Sequence, residues 1–342
     1  VGKQLENAAR MKIEEINAAG GIDGKKVEMV VFDDKSDNGE AASVARQIAA
    51  DDSISIVIGH FNSRCTIAGR DEYNRKGIVE FTPASTNSTV CKGFEWTFRN
   101  LYRDDYQGPF LARYAKNALG WKKVAIFFDN DDYGGGLKDS IVEEAKKIGL
   151  ETGEPIAYES GKTNDFKPLV EQIRDKGCDG VIVSGLYNEA ALIAKVLRND
   201  LHSDLVILGG DGLFDPAYVT LAEKAAEGTL ITTPFVFSAA NDSPEAKSFY
   251  ETYKKKYEKE PGAWAALSYD AVGMALDAIK EVGADRRKIK DWLAGRTTAE
   301  KGYKGVTGLT YFDAEGDCPS KGATVAVVKD GKLDRAQKQL QP

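Results

Sequence analysis

Two strand-to-loop junctions, residues 55–63 and 77–87, each run a short apolar stretch into small hydroxyl residues: Ser63 in the first, Ser85 and Thr86 in the second. In an open α/β sheet, ligands sit beyond the carboxyl ends of strands, where free amides and helix N-termini attract negative charge. Ser63, Ser85 and Thr86 are therefore expected to face one carboxylate-sized site. Serine and threonine at such places also cap helices, so either loop alone allows both roles. Two such loops close together in sequence favour a shared anion cradle. A third junction, Leu205–Gly210 followed by Asp211, presents an acid able to accept from a bound ammonium.

Enzyme chemistry finds little support. Ser160-Gly-Lys-Thr163 has the end of a phosphate-binding loop, but Ile156 stands where the leading glycine belongs. Gly134-Gly-Gly136 lacks dinucleotide spacing and reads as a helix entry. His60 lies three residues before Ser63 on the same strand end, where its ring is expected to face away from a serine nucleophile. Paired acids such as Asp33-Asp34 and Asp131-Asp132 fit loops and helix starts. Four cysteines without CxxC spacing and two histidines argue against zinc. No cofactor and no metal are expected. Cys178 reads as a buried free thiol, and a disulfide between Cys65 and Cys91, which follow the two hydroxyl loops, is left open.

The elements that must position these residues alternate. Amphipathic helices are expected near 3–18, 38–51, 64–75 and 104–119, with strands at Lys26–Asp33, Ile54–Gly59 and Ile78–Thr82. The series restarts after Trp121 with strands at Lys123–Phe128, 151–158, Gly180–Ser184 and Leu205–Gly209, and helices near 133–147 and 165–176. Longer helices follow at Pro244–Glu258 and Ala263–Val282, then strands at Gly302–Phe312 and Thr324–Val328. This is an α/β pattern of parallel sheets, and 342 residues suit two domains. The late segments need places in both sheets, so the chain is expected to cross between lobes several times. The net charge of −7 is dispersed, which disfavours a nucleic-acid partner. No apolar run is long enough to span a membrane.

Together Glu15-Ile-Asn-Ala-Ala-Gly-Gly-Ile22, Val57–Phe61, Thr82–Asn87, Gln107-Gly108, Asp132-Tyr-Gly134 and Ala226-Glu-Gly228 make the chain resemble, over nearly its whole length, the periplasmic branched-chain amino acid (leucine/isoleucine/valine) binding proteins. These are the type I solute-binding components of ABC importers. The resemblance implies two flavodoxin-like (Rossmann-like) lobes joined by three crossovers. The expected division is residues 1–119 with about 245–320, and 120–244 with about 321–342. It also implies that Ser63, Ser85 and Thr86 hold the ligand's carboxylate. Thr86 and Asp211 would take its ammonium, Tyr133 and Tyr187 would close over it, and Phe61 and Asn62 would line its side-chain pocket. The family's first strand and Pro-rich loop, which precede the position of Val1, have no counterpart in the sequence, so a truncated or rearranged chain is expected. A disulfide of well-known relatives joins loops around Ser36 and Asn62, neither of which is cysteine here.

The function so implied is capture of a free amino acid, with leucine, isoleucine and valine foremost, in an interlobe cleft that closes on it. The protein would then deliver the ligand to a membrane ABC permease. It would act as a monomer in the periplasm or as a cell-surface lipoprotein. The alternative is a sensor of the same fold, for an amide, aromatic acid or γ-aminobutyrate, controlling a regulator.

Overall fold

The structure is a computed structural model describing residues 1–238 and 243–340. It divides into two compact units, Val1–Tyr102 with Ala239–Gly322 and Arg103–Ser238 with Ala323–Pro342. The chain begins with α1 (Gly2–Ala18), α2 (Asn38–Ala50), β1 (Ile56–Ile58), α3 (Ser63–Lys76), β2 (Val79–Thr82) and β3 (Thr97–Arg99). In the second unit it forms α4 (Asp104–Arg113), β4 (Val124–Asp129), α5 (Asp132–Ile148), β5 (Ile156–Tyr158), α6 (Lys167–Val170) and β6 (Gly180–Ser184). There follow α7 (Tyr187–Lys195), β7 (Val206–Gly209), α8 (Pro216–Ala222) and β8 (Leu230–Thr233). It returns to the first unit for α9 (Pro244–Tyr257), α10 (Ala263–Val282), α11 (Arg286–Ala294) and the hairpin β9 (Tyr303–Gly305) and β10 (Gly308–Thr310). It ends in the second with β11 (Thr324–Lys329) and β12 (Lys332–Arg335).

In the first unit β1, β2 and β3 pair in parallel, with Ile58 opposite Phe81 and Phe81 opposite Phe98. Successive side chains on a strand point to opposite faces. Val79, Phe81 and Phe98 accordingly pack with Ala271, Met274, Ile289 and Leu293 of α10 and α11. Ile78 joins Val44, Ile48 and Tyr73 of α2 and α3 in a separate cluster. In the second unit, the order among the described strands is β12-β11-β8-β7-β6-β4-β5. From β8 to β5 all pairs are parallel, and β11 and β12 add antiparallel. Leu111, Tyr114, Leu137 and Ile141 of the helices bury against Ile126, Ile182 and Leu208.

Three expectations need correction. Lys26–Asp33 forms no strand: Val27 is clasped by the Asn17 side chain at 2.8 and 2.9 Å, but Val30 and Val31 are 64% and 51% exposed. A strand requires a ladder to a neighbour, and none of the described strands pairs with this one. Residues 165–176 form only a short helix and a 3₁₀ turn. The segment 103–119, expected in the first lobe, belongs to the second unit. There α4 packs on α5 so closely that a Cβ at Gly108 would lie 2.4 Å from that of Ser140.

All four cysteines are free thiols, so Cys65 and Cys91 form no disulfide. Burial, reinforced by Asp34, pushes the Cys65 thiol up to about 12, and burial drives Cys91 up as well. Cys178 is partly exposed rather than buried.

Glu80, in the middle strand β2, is wholly buried. Its Oε2 accepts from Thr97 Oγ1 at 3.5 Å, and His60 Nε2 lies 3.9 Å from its Oε1. Burial pushes this carboxyl well above the usual range, against the pull of Arg70 and Thr97. The fold therefore favours the neutral acid, while the unfolded chain titrates near about 4.3. The resulting stabilisation is present below that pH and is lost as pH rises toward the folded value. Glu80→Gln should gain in melting temperature relative to the parent as pH rises above about 4.3, where the parent loses this stabilisation. A difference independent of pH would contradict this account.

Candidate functional site

The first unit's candidate residues gather at the carboxyl ends of β1 and β2. Ser63 opens α3 with Asn62 at the N-cap, and no acidic residue occupies the first turn. The Asn62 side chain makes no capping hydrogen bond. The helix thus presents its positive dipole end and the Ser63 amide, which has no partner within the helix. The amides of Cys65 and Thr66 donate to the Asn62 carbonyl at 3.0 Å. Ser63 Oγ accepts from the Asn87 amide at 3.2 Å, which stitches the two loops together.

Ser85 plays a different part from the one expected. Its hydroxyl donates to the Phe61 carbonyl at 3.1 Å and lies 2.6 Å from Thr66 Oγ1, while its amide donates to Thr82 Oγ1 at 3.0 Å. With amide and hydroxyl both engaged, Ser85 braces the cradle rather than lining it. Its carbonyl accepts from Arg99 Nη1 at 3.0 Å, and Arg99 Nε donates to Asp317 Oδ1 at 2.5 Å in a buried ion pair. Thr86, one residue on, is buried, and among the described residues neither its amide nor its hydroxyl is taken up in a hydrogen bond. Phe61 packs edge-on against Trp264, with ring centres 5.3 Å apart. His60 places Nδ1 2.7 Å from Asp34 Oδ2 and Nε2 3.2 Å from the Tyr73 hydroxyl, so both ring nitrogens are engaged away from Ser63.

The second unit joins two more candidates directly. The Tyr133 hydroxyl, near the start of α5, donates to Asp211 Oδ1 at 2.7 Å and accepts from the Gly212 amide at 3.0 Å. Burial, with the Asp211 charge beside it, holds this phenol well above its ordinary range, so it stays a neutral donor. Glycine is required at 212, because a Cβ there would lie 2.4 Å from the Gly185 carbonyl oxygen and 2.9 Å from the Tyr133 ring. Sequence reasoning missed the support beneath. Gln107 Oε1 accepts from the Asp211 amide at 2.8 Å and from Thr232 Oγ1 at 2.7 Å, while its Nε2 donates to Asp104 at 3.0 Å. Gln107-Gly108 was visible as a motif, but nothing in its spacing announced this role. Tyr187 begins α7, half-buried, and is not hydrogen-bonded to Tyr133 or Asp211; burial and nearby Asp215 raise its phenol. Among the described residues no three His, Cys, Asp or Glu side chains are arranged to hold a metal ion, and no helix is long and apolar enough to cross a membrane.

A family model described as periplasmic binding protein matches residues 1–332. The Leu/Ile/Val-binding protein homolog 1 of Brucella suis biovar 1 (strain 1330) is 34% identical over 323 residues, 92% of this chain and 83% of that protein. The crystal structure of a leucine binding protein, LivK, from Thermotoga maritima MSB8 superposes with a TM-score of 0.90 at 32% identity, covering 98% of this chain and 93% of that one. The branched-chain amino acid transporter substrate binding protein LivJ of Streptococcus pneumoniae, in complex with isoleucine, gives 0.89 at 32% identity, covering 99% and 94%.

The bracing role of Ser85 has a direct consequence. Ser85→Ala leaves the part-buried Phe61 carbonyl and the buried Thr66 hydroxyl short of a partner, which should cost about 1–3 kcal/mol of stability in denaturant unfolding with no ligand present. Unchanged stability would return Ser85 to the role of a ligand-facing hydroxyl.

Proposed function

Since this chain belongs to the periplasmic binding protein family, we propose that it captures a free aliphatic α-amino acid, leucine, isoleucine or valine first, and delivers it to an ABC permease. The observation that carries this reading is Asp211. It is 1% exposed, held by Tyr133 through its side chain and by Gln107 through its amide, and so presents a positioned acid for an ammonium group. The other end of an amino acid suits the first unit, where the α3 N-terminus, Ser63 and Thr86 offer donors to a carboxylate. Phe61 and Trp264 supply apolar surface for a hydrocarbon side chain. In this reading Ser63, Thr86 and Asp211 grip the ligand's charged groups, Tyr133 orients Asp211, Tyr187 covers the ligand, and Phe61 and Asn62 shape the pocket.

Family membership implies an extracytoplasmic setting, and relatives named for leucine, isoleucine and valine support the ligand class. We further propose that the protein is a monomer that meets its permease from the periplasm or from a lipid anchor. Neither the carboxylate cradle nor the Tyr133–Asp211 pair brings a base to a nucleophile, which favours binding over turnover.

The test is a thermal-shift screen of the twenty amino acids, γ-aminobutyrate and aromatic acids on protein refolded free of carried ligand. At 100 times its dissociation constant a ligand adds about 2.7 kcal/mol of stability, a rise of several degrees. Aliphatic amino acids should produce it; a response confined to aromatic acids or γ-aminobutyrate would overturn the ligand class. Asp211→Ala should weaken binding by about 2–5 kcal/mol, because it leaves a buried ammonium without its acid. Titration calorimetry showing parental affinity in that variant would remove Asp211 from the site.

A further inference from the structure

A second polar cluster lies in the second unit, apart from the Tyr133–Asp211 pair. Asp129 ends β4, Tyr158 ends β5, Ser160 follows in the next turn, and Glu189 stands in the first turn of α7. Each carboxylate spends one oxygen on the same turn: the Ser160 amide donates to Asp129 Oδ1 at 3.1 Å, and the Gly161 amide to Glu189 Oε1 at 3.4 Å. The remaining oxygens have no hydrogen-bond partner: Asp129 Oδ2, Glu189 Oε2, the Tyr158 hydroxyl and Ser160 Oγ are all shut off from solvent. Asp129, Tyr158 and Glu189 are 2%, 3% and 8% exposed. Neither carboxylate has an ion-pair partner among the described residues. Burial, with Asp129 and Glu189 nearby, holds the Tyr158 phenol well above its ordinary range, so it remains a hydroxyl.

Four such atoms in one place are unusual, because a buried polar group without a partner loses its hydration with nothing to replace it. The place is also special. β4 has β5 on one side and β6 on the other, so the chain winds in opposite directions from its carboxyl end; ligands favour such a switch point. Gly185 admits the arrangement, since a Cβ there would fall 1.8 Å from the Tyr158 hydroxyl.

We propose that Asp129, Glu189, Tyr158 and Ser160 form a site for a hard, oxygen-seeking cation of the calcium class, bound within the second unit. Two carboxylates match a divalent charge, the two hydroxyls add neutral oxygens, and water completes the shell that such an ion takes. The set holds no nitrogen or sulfur, which excludes the donors that zinc prefers. This site acts on the stability of the second unit and does not depend on which amino acid is bound.

The experiment uses the full chain, stripped with a chelator and kept free of amino acids. Melting temperatures are recorded with calcium, magnesium, sodium and potassium chlorides, and terbium emission is excited through tyrosine. Calcium should raise the melting temperature by several degrees and magnesium less, since magnesium demands a stricter octahedron. Terbium emission should appear in the parent, fall when calcium is added, and weaken in Tyr158→Phe. Asp129→Asn and Glu189→Gln should each weaken calcium binding at least about tenfold, the loss of 1.4 kcal/mol or more. The proposal fails if calcium leaves the parent's melting temperature unchanged, or if Glu189→Gln responds to calcium as the parent does. Should Asp129→Asn not fold, the parent and Glu189→Gln decide the matter.

Discussion

Parallel strand pairing is the constraint on which the rest depends. In a parallel sheet every strand runs the same way, so all carboxyl ends lie along one edge, and the loops that leave them hold backbone groups the ladder has not used. Ser63 and Thr86 follow β1 and β2; Tyr133 and Asp211 follow β4 and β7; Asp129, Tyr158 and Glu189 border the ends of β4, β5 and β6. Within each unit's own sheet, these residues gather at the carboxyl-end edge because the direction of its parallel strands puts the loop groups there. The opposite faces are taken up by helix packing, as with Met274 and Leu293 against Phe81, and serve only to hold the edge steady.

Steadiness at that edge comes from polar groups that never need to touch a ligand. Ser85 ties the Phe61 carbonyl to Thr66, and Arg99 ties the Ser85 carbonyl to Asp317. Gln107 does the same beneath Asp211, joining α4, β8 and the turn after β7 through one amide side chain. A buried acid gains direction from such support. Without the Gln107 and Tyr133 contacts, a ligand held as proposed would have to orient the carboxylate itself, at the expense of affinity.

How much of this could be read in the sequence varied with the kind of information involved. Gly180–Ser184 and Ala263–Val282 stand where their apolar patterns place them, because burial of those side chains alone decides the element. Lys26–Asp33 has an equally apolar run and is not a strand, since pairing depends on a partner that no local pattern contains. The strand-end clusters were legible, and the Tyr133–Asp211 pair joins two residues chosen for separate reasons. Ser85 shows the limit. Its residue type marks a hydroxyl near a strand end, but whether that hydroxyl faces outward or into a carbonyl depends on the path of the other loop. Gln107 and Glu189 lay beyond reach for the same reason: a polar residue on a helix looks solvated until the fold brings acids and amides to it.

The state of the thiols has a practical side. Cys65, Cys91 and Cys318 are buried, and burial raises the first two so far that they carry almost no thiolate at neutral pH. Thiolate is the form that reacts with alkylating reagents. Cys178, just before β6, is the one partly exposed, with Lys123 drawing its thiol back toward ionisation against burial. Of these four thiols, Cys178 thus offers the attachment point for a dye, confined to the second unit, and a spectroscopic reporter can be placed there without first rewriting the other three cysteines.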